Sequence, residues 1–336
     1  MIQKDKYRIL LLSTVMILLF LVIAALCMGR FSMNPFDVLR AVRAGVTGIS
    51  TNVAMETVLF RIRLPRVVAS LLIGAALSMS GAVYQSTFRN PLISPDLLGV
   101  SSGASMGAVI AIFAGIPFRS VPVFAFAGGM LAVLLATSIP KILRNSSNMM
   151  LVLSGIIVSG FMNSVIGIVK MVSREQDQLA SIVFWQMGSL TRVNPAQITT
   201  VSPVILACIV ILLLISWRLN ILSFGEQEAQ TIGINVKRLR MLAIVCASLL
   251  TANAISISGT IGWIGLVIPH FGRLICGNDN TKLLPMTALL GGAFLLIIDT
   301  IARVATTYEI PLSILSGLVG APFFAWLLFR QRAKIQ

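Results

Sequence analysis

The sequence predicts an all-α, polytopic membrane protein with about ten transmembrane helices, and three observations carry that prediction. Of its 336 residues, 57% are hydrophobic and only 11% charged, and the mean hydropathy is +0.95. Such a chain is too apolar for a soluble domain. Apolar runs of about twenty residues, the helix length that crosses a hydrocarbon core, recur from end to end. The breaks between them are short and basic or polar, as loops between spans are.

Taken in order, Lys4, Lys6 and Arg8 precede the first run, Ile9 to Met28. That run is longer than the core of a cleaved signal peptide, and Leu26 before Cys27 does not suit a lipoprotein site, so it is read as a retained span. The ten spans are expected at residues 9–29, 64–84, 93–113, 121–142, 149–171, 196–217, 239–258, 261–277, 282–305 and 310–330. The eighth is the weakest, being short and rich in Gly and Pro. One transmembrane domain then covers residues 1–336, and ten crossings starting inside leave both termini in the cytoplasm. Of the 26 basic residues, fifteen fall on the inner side and eleven on the outer, a weak positive-inside bias. Ten of those eleven are Arg, Arg30 and Arg174 among them. Arg offers a planar fork suited to carboxylates, so an Arg-rich outer face fits an acidic protein or ligand. Anchors reaching lipid headgroups are the other reading.

The sixth and seventh spans are separated by a polar island, Ser216 to Arg240, whose core segment is 218–238. A charged stretch of that length lies outside the bilayer core. Gly225 starts it, Glu226 and Glu228 fall in a first helical turn, and Gly233 ends it, so a short helix is expected there. It is either a solvated loop or a platform for a partner. An internal repeat joins Ala76–Gly81 (ALSMSG) to Ala254–Gly259 (AISISG), and Pro91 and Pro269 stand at the same offset. Five spans per copy would invert the second copy, so spans 2–5 and 7–10 are expected to form an inverted repeat, a recurring construction of transporters. Chance likeness between small, apolar helices competes with that reading.

Small and polar residues mark one side of two spans: Ser154, Ser159 and Asn163 in the fifth, Ser313, Ser316, Gly317 and Gly320 in the tenth. They serve close helix packing or line a passage, and both roles suit a subunit interface. Asp299 and Arg303 stand one turn apart, where an intramembrane charge is costly unless paired. No G-x-x-x-x-G-K-[ST] loop occurs, so ATP hydrolysis is expected on a separate subunit, and no cofactor is expected on this chain. A single His (His270) builds no metal site, and the cysteines show no C-x-x-C spacing. The net charge of +15 lies in short clusters and not in a stripe, which speaks against nucleic acid as a partner.

Several motifs together resemble one known family. They are Arg63-Leu-Pro-Arg66, Gly74 to Gly81 (GAALSMSG), Phe88 to Leu92 (FRNPL), Pro95 to Val100 (PDLLGV), Gly225 to Ala229 (GEQEA) with Gly233, Gly262 to His270 (GWIGLVIPH) and Gly320 to Phe323 (GAPF). The set resembles the permease subunits of type II ATP-binding-cassette importers for iron–siderophore complexes and vitamin B12. The resemblance implies a permease in the cytoplasmic membrane of a prokaryote, working as a homodimer. It also implies a pathway on the two-fold axis, two ATPase subunits below and an extracytoplasmic substrate-binding protein above. On this chain it places ATPase coupling at Gly225, Glu226, Glu228, Ala229 and Gly233, and docking of the binding protein at Arg63, Arg66 and Arg303. A ferric siderophore is the expected cargo, with vitamin B12, haem and molybdate as alternatives. An ion-coupled secondary transporter is the reading of another class. It would need ionisable residues at the bilayer midplane, where only Asp299 comes close.

Overall fold

The computed structural model describes residues 4–29, 31–47, 52–145, 147–173 and 176–332, and every regular element among them is helical. The chain opens with α1 (Lys4–Cys27), apolar on all sides and thinly covered. Two shorter helices, α2 (Pro35–Thr47) and α3 (Val53–Thr57), follow. A π-helical turn, Val58–Arg63, joins α3 to α4 (Leu64–Phe88). Its wider turn rotates the side chains that follow it, and both Arg63 and Arg66 face inward.

A 3-10 turn, Pro95–Leu98, precedes α5 (Val100–Phe113), and then come α6 (Val121–Ile142), α7 (Asn148–Val172) and α8 (Gln176–Gln186). Next is α9 (Pro195–Leu214), which opens on a complete capping box: Asn194 accepts from the Gln197 N–H while Gln197 accepts from that of Asn194. The mid-chain island folds as α10 (Ser216–Phe224) and α11 (Glu226–Thr231). The chain closes with α12 (Val236–Ser258), α13 (Ile264–Cys276), α14 (Asn280–Val304) and α15 (Leu312–Arg332).

Each expected span has an apolar helix in its place. Among the described residues seven are long and apolar enough to cross a membrane, while α5, α13 and the apolar part of α15 are shorter. The third span was expected from residue 93, but Pro95 and the left-handed Gly99 (φ 77°) convert its first turns into the 3-10 segment. The eighth begins only at Ile264, because Gly259 (φ 70°) and Trp263 (φ 71°) break the chain ahead of it. The two copies of the repeated motif also differ locally. Gly81 lies inside α4, whereas Gly259 caps α12.

The core is organised on α4, the most enclosed of the long helices, with α12 and α14 beside it. Contact between α4 and α14 is backbone on backbone, since a Cβ on Gly74 would stand 2.2 Å from the Gly291 carbonyl oxygen. A Cβ on Gly81 would stand 1.8 Å from that of Gly265 in α13. Small residues let helices approach this closely where lipid supplies no hydrophobic drive. Hydroxyls fasten the same helices: Ser78 donates to Thr287 O (2.7 Å), Ser80 to Ala247 O (2.8 Å), and Tyr84 pairs with Ser248 (2.7 Å).

Candidate functional site: a polar hairpin and a buried charge cluster at opposite ends of α4 and α14

Contacts along α14 fix which parts of the chain share an end. Arg66 meets Asp299, Ser78 meets Thr287 and Ser86 meets Asn280, so α4 and α14 run antiparallel. Tyr7 bonds to Lys282 O (3.1 Å) and Arg303 to Ala25 O (3.1 Å), so α1 and α14 run parallel. One end therefore holds Tyr7, Arg89, Asn280 and the α10–α11 hairpin, and the other holds Arg63, Arg66, Asp299 and Arg303.

At the first end, α10 is tied to the helices behind it. Asn220 donates to Asp279 Oδ1 (2.6 Å) and accepts from the Asn280 N–H (2.6 Å), while Arg89 Nε donates to Leu222 O (3.1 Å). Arg89 reaches that carbonyl from a left-handed C-cap of α4 (φ 53°). Asp279 also caps α14 through Thr281 (3.0 Å). Burial would raise the Asp279 carboxyl, but the bonds from Thr281 and Asn220 and the charge of Lys282 outweigh it and hold it below the usual range.

The short helix α11 stands on this base. Gly225 is extended (φ 168°), and Gly233 is left-handed (φ 83°) with open space around it. That matches the start and stop read from the sequence. Ala229 is buried and holds the helix down, whereas Gln227, Glu228, Gln230 and Ile232 face outward. Glu226 opens the helix, and its side chain lies outside the described residues.

At the other end, the three arginines assigned to docking are inside the protein. Arg63 is 2% exposed and donates to three main-chain carbonyls, Leu26 O (2.5 Å), Cys27 O (3.0 Å) and Phe31 O. Arg66 pairs with Asp299 Oδ1 (2.7 Å) and Glu309 Oε1 (2.7 Å). Arg303 Nε lies 3.3 Å from Asp299 Oδ2, which confirms the one-turn pair expected from the sequence and adds Arg66 to it. In this structure the three do not present their guanidinium groups to a partner; they lace together the ends of α1, α4 and α14 remote from the hairpin. The reason is that carbonyls at the end of α1 and two carboxylates converge on them, and a buried charge demands such partners. Arg30 and Arg174 lie outside the described residues, while Arg40, Arg43, Arg61, Arg119 and Arg192 are exposed.

Glu309, which the sequence did not single out, joins the cluster from the loop before α15. It accepts from Arg66 and from Thr191 in the loop after α8. Burial would raise its carboxyl, but those hydrogen bonds and the charges of Arg66 and Arg303 hold it below the usual range. The N–H groups of Leu312 and Ser313 bond to Gly188 O (3.0 Å) and Met187 O (3.1 Å), so the start of α15 is sewn to the same loop.

The two small-residue faces are held by different neighbours. A Cβ on Gly155 would come within 1.9 Å of Leu97 O, so α7 presses directly on the 3-10 turn. Ser154 is buried there and bonds to Met150 O (2.7 Å), Ser159 lies beside Gly99, and Asn163 is exposed. In α15, Ser316 is buried and bonds to Ser313 O (3.2 Å). Gly317 and Gly320 rest on Trp263, which a Cβ on Gly320 would meet at 2.7 Å.

With this geometry in place, comparison with known proteins decides the family. The sequence matches the FecCD transport family over residues 17–330. The chain belongs to that family. The molybdate import system permease MolB of Haemophilus influenzae is 37% identical to it, over 98% of this chain and 97% of MolB. A probable iron chelatin transport system permease of Helicobacter pylori is 42% identical, over 83% of this chain and 84% of that one. Among solved structures, a metal-chelate type ABC transporter in an inward-facing conformation aligns with a TM-score of 0.86 at 35% identity, covering 96% of this chain and 99% of that one. This FecCD protein is thus an integral membrane permease subunit of an ABC importer of the prokaryotic inner membrane. Such permeases act with ATPase subunits that are separate chains and with a binding protein, and the cargo varies among relatives.

Proposed function

We propose that this FecCD permease, as a homodimer above two ATPase subunits, takes a ferric siderophore from a binding protein and releases it into the cytoplasm by alternating access. One observation carries the reading. The exposed α10–α11 hairpin and the buried Arg66–Asp299–Glu309 cluster sit at opposite ends of α4 and α14, which run unbroken between them. The hairpin shares its end with the basic N-terminus, and the positive-inside rule supports a cytoplasmic setting for that end. There Glu228 of α11 and Ile232 at its C-cap (65% exposed) are offered to a groove on an ATPase. Gly225, Ala229 and Gly233 shape the helix, and Glu226 adds charge at its start.

At the outer end, Arg63, Arg66 and Arg303 act from within, setting the shape that a binding protein meets. The exposed Arg40, Arg43 and Arg61 make the direct ionic contacts. The passage runs on the two-fold axis beside α7 and α15. Ser159, Asn163, Ser313 and Gly317 border it, and buried Ser154, Ser316 and Gly320 keep those helices close to their supports. Uptake of radiolabelled iron chelate into proteoliposomes holding the complete importer tests this. Glu228→Lys with Ile232→Asp should lower uptake at least tenfold while the permease stays folded, and undiminished uptake would refute the coupling role. Proton-driven uptake without ATP would instead support an ion-coupled carrier. Molybdate is a second reading, favoured by the MolB match across nearly the whole of both chains.

A further inference from the structure

We propose that the outer cleft between α8, α9, the end of α12 and the α5–α6 loop recognises an anionic chelate with aromatic donor groups, so that the permease itself reads its cargo. The cleft belongs to the outer end, because Glu309 ties the loop on its rim, at Thr191, to Arg66. It encloses about 360 Å³, within the range of small-molecule sites and far more than a four-oxygen ion fills. Its walls are fixed. The Ser189 N–H bonds to Ser258 O (2.8 Å), and Gly259 passes so close to Trp185 that a Cβ there would stand 2.2 Å from the Trp185 carbonyl oxygen.

The charged and amide side chains of the cleft supply donors, while the hydroxyls of Ser189, Ser256 and Ser258 on its wall are engaged with neighbouring protein atoms. Arg119 and Arg192 line it, no carboxylate among the described residues does, and Glu309 beside the rim is already engaged by Arg66 and Thr191. Asn194 and Gln197 both use their amide oxygens in the α9 capping box. Their NH2 groups, which can only donate, have no partner among the described residues. The remaining lining is largely apolar, with Phe118, Phe184 and Trp185 as its large rings. Arg192 already stacks on Phe118, with its guanidinium carbon 3.9 Å from the ring centroid. Stacking occupies the face of the guanidinium and leaves its in-plane fork for an anionic oxygen. Rings and forks together fit the flat, oxygen-bearing arms of a metal chelate better than a bare oxyanion, which wants small, wholly polar surroundings.

This inference rests on the importer reading and deepens it, and two measurements separate their fates. In the first, the permease–ATPase complex in lipid nanodiscs, without a binding protein, is titrated with the ferric complex of 2,3-dihydroxybenzoate, and Trp185 emission is followed against a Trp185→Phe control. Saturable quenching is expected. Arg119→Gln with Arg192→Gln should weaken half-saturation at least tenfold, and Arg192→Lys severalfold, since Lys keeps the charge but loses the fork. Melting temperature and ATP hydrolysis of the variants confirm that the complex is intact. Wild-type affinity in the double variant overturns the proposal, as does molybdate quenching Trp185 as tightly as the chelate. In the second, the full importer is assayed for uptake of the same chelate. Uptake that the double variant leaves unchanged sinks the cleft while sparing the importer. Absent uptake in wild type beside intact binding sinks the importer reading and spares the cleft.

Discussion

Breaking the Arg66–Asp299 pair offers the sharpest test of the buried charge cluster. The Arg66 side chain is 5% exposed and that of Asp299 is fully buried, so neither charge can turn to water when its partner is lost. Removing one member of a buried pair costs about 3–5 kcal/mol. In Arg66→Leu, Asp299 keeps Arg303 at 3.3 Å and Glu309 keeps Thr191, which places the loss near the low end, about 3 kcal/mol. Asp299→Leu leaves two guanidinium groups, those of Arg66 and Arg303, with Glu309 as their acidic partner, so its loss should be the larger, about 4 kcal/mol or more. The double variant removes both charges and should cost less than the sum by about 2–3 kcal/mol. A loss of about 3 kcal/mol lowers the folded-to-unfolded ratio on the order of 100-fold. Reversible unfolding in mixed micelles, followed by tryptophan emission, would measure all three. Single variants within about 1 kcal/mol of wild type, or strict additivity, would refute the claim that the pair holds α4 to α14.

Three further outcomes follow from the packing and the loops. Gly74→Ala should destabilise by about 2 kcal/mol or more, because the obstructing atom is main chain and cannot rotate away, whereas Gly160→Ala, with open space around it, should stay within about 0.5 kcal/mol; detergent melting curves compare them. Asn220→Ala removes both hydrogen bonds that hold α10 to the head of α14, at about 1–3 kcal/mol, and should reduce cargo moved per ATP severalfold in proteoliposomes while α11 itself stays intact. Because the Glu309 carboxyl is held low in the folded protein, its contribution is present above its unfolded value, about pH 4.3, and is lost as pH falls through the lower folded value. Glu309→Gln should therefore flatten the acid limb of the melting-temperature profile, and superimposable limbs would show that the carboxylate adds nothing.

The spans were legible because membrane insertion writes itself into composition, and the hairpin because Gly225 and Gly233 punctuate it. Asp299 and Arg303 were readable as a pair since a one-turn spacing brings two side chains together. The setting of the arginines was not. Arg63 is satisfied by carbonyls of Leu26, Cys27 and Phe31, and a main-chain acceptor leaves no trace in residue identity. Nor did the sequence reveal Glu309 as the partner of Arg66, since that contact depends on where the loop before α15 lands. The α8 helix went unforeseen because its eleven residues mix apolar and polar types without a clear period. The 3-10 turn at Pro95 reads as part of a span, because Ile93, Leu97, Leu98 and Val100 carry the apolar run through it.

The glycine crossing between α4 and α14 has a mechanical corollary. Where two backbones touch, no rotamer can give way, so the pair has to travel as a single plank. Any rearrangement that opens one mouth and shuts the other must then pivot elsewhere, at joints where loops or side chains can yield. The stitch from Met187 and Gly188, in the loop after α8, to the head of α15 is one such joint, whereas the seat of α7 on the short turn at Leu97, again main chain against main chain, is as stiff as the plank itself.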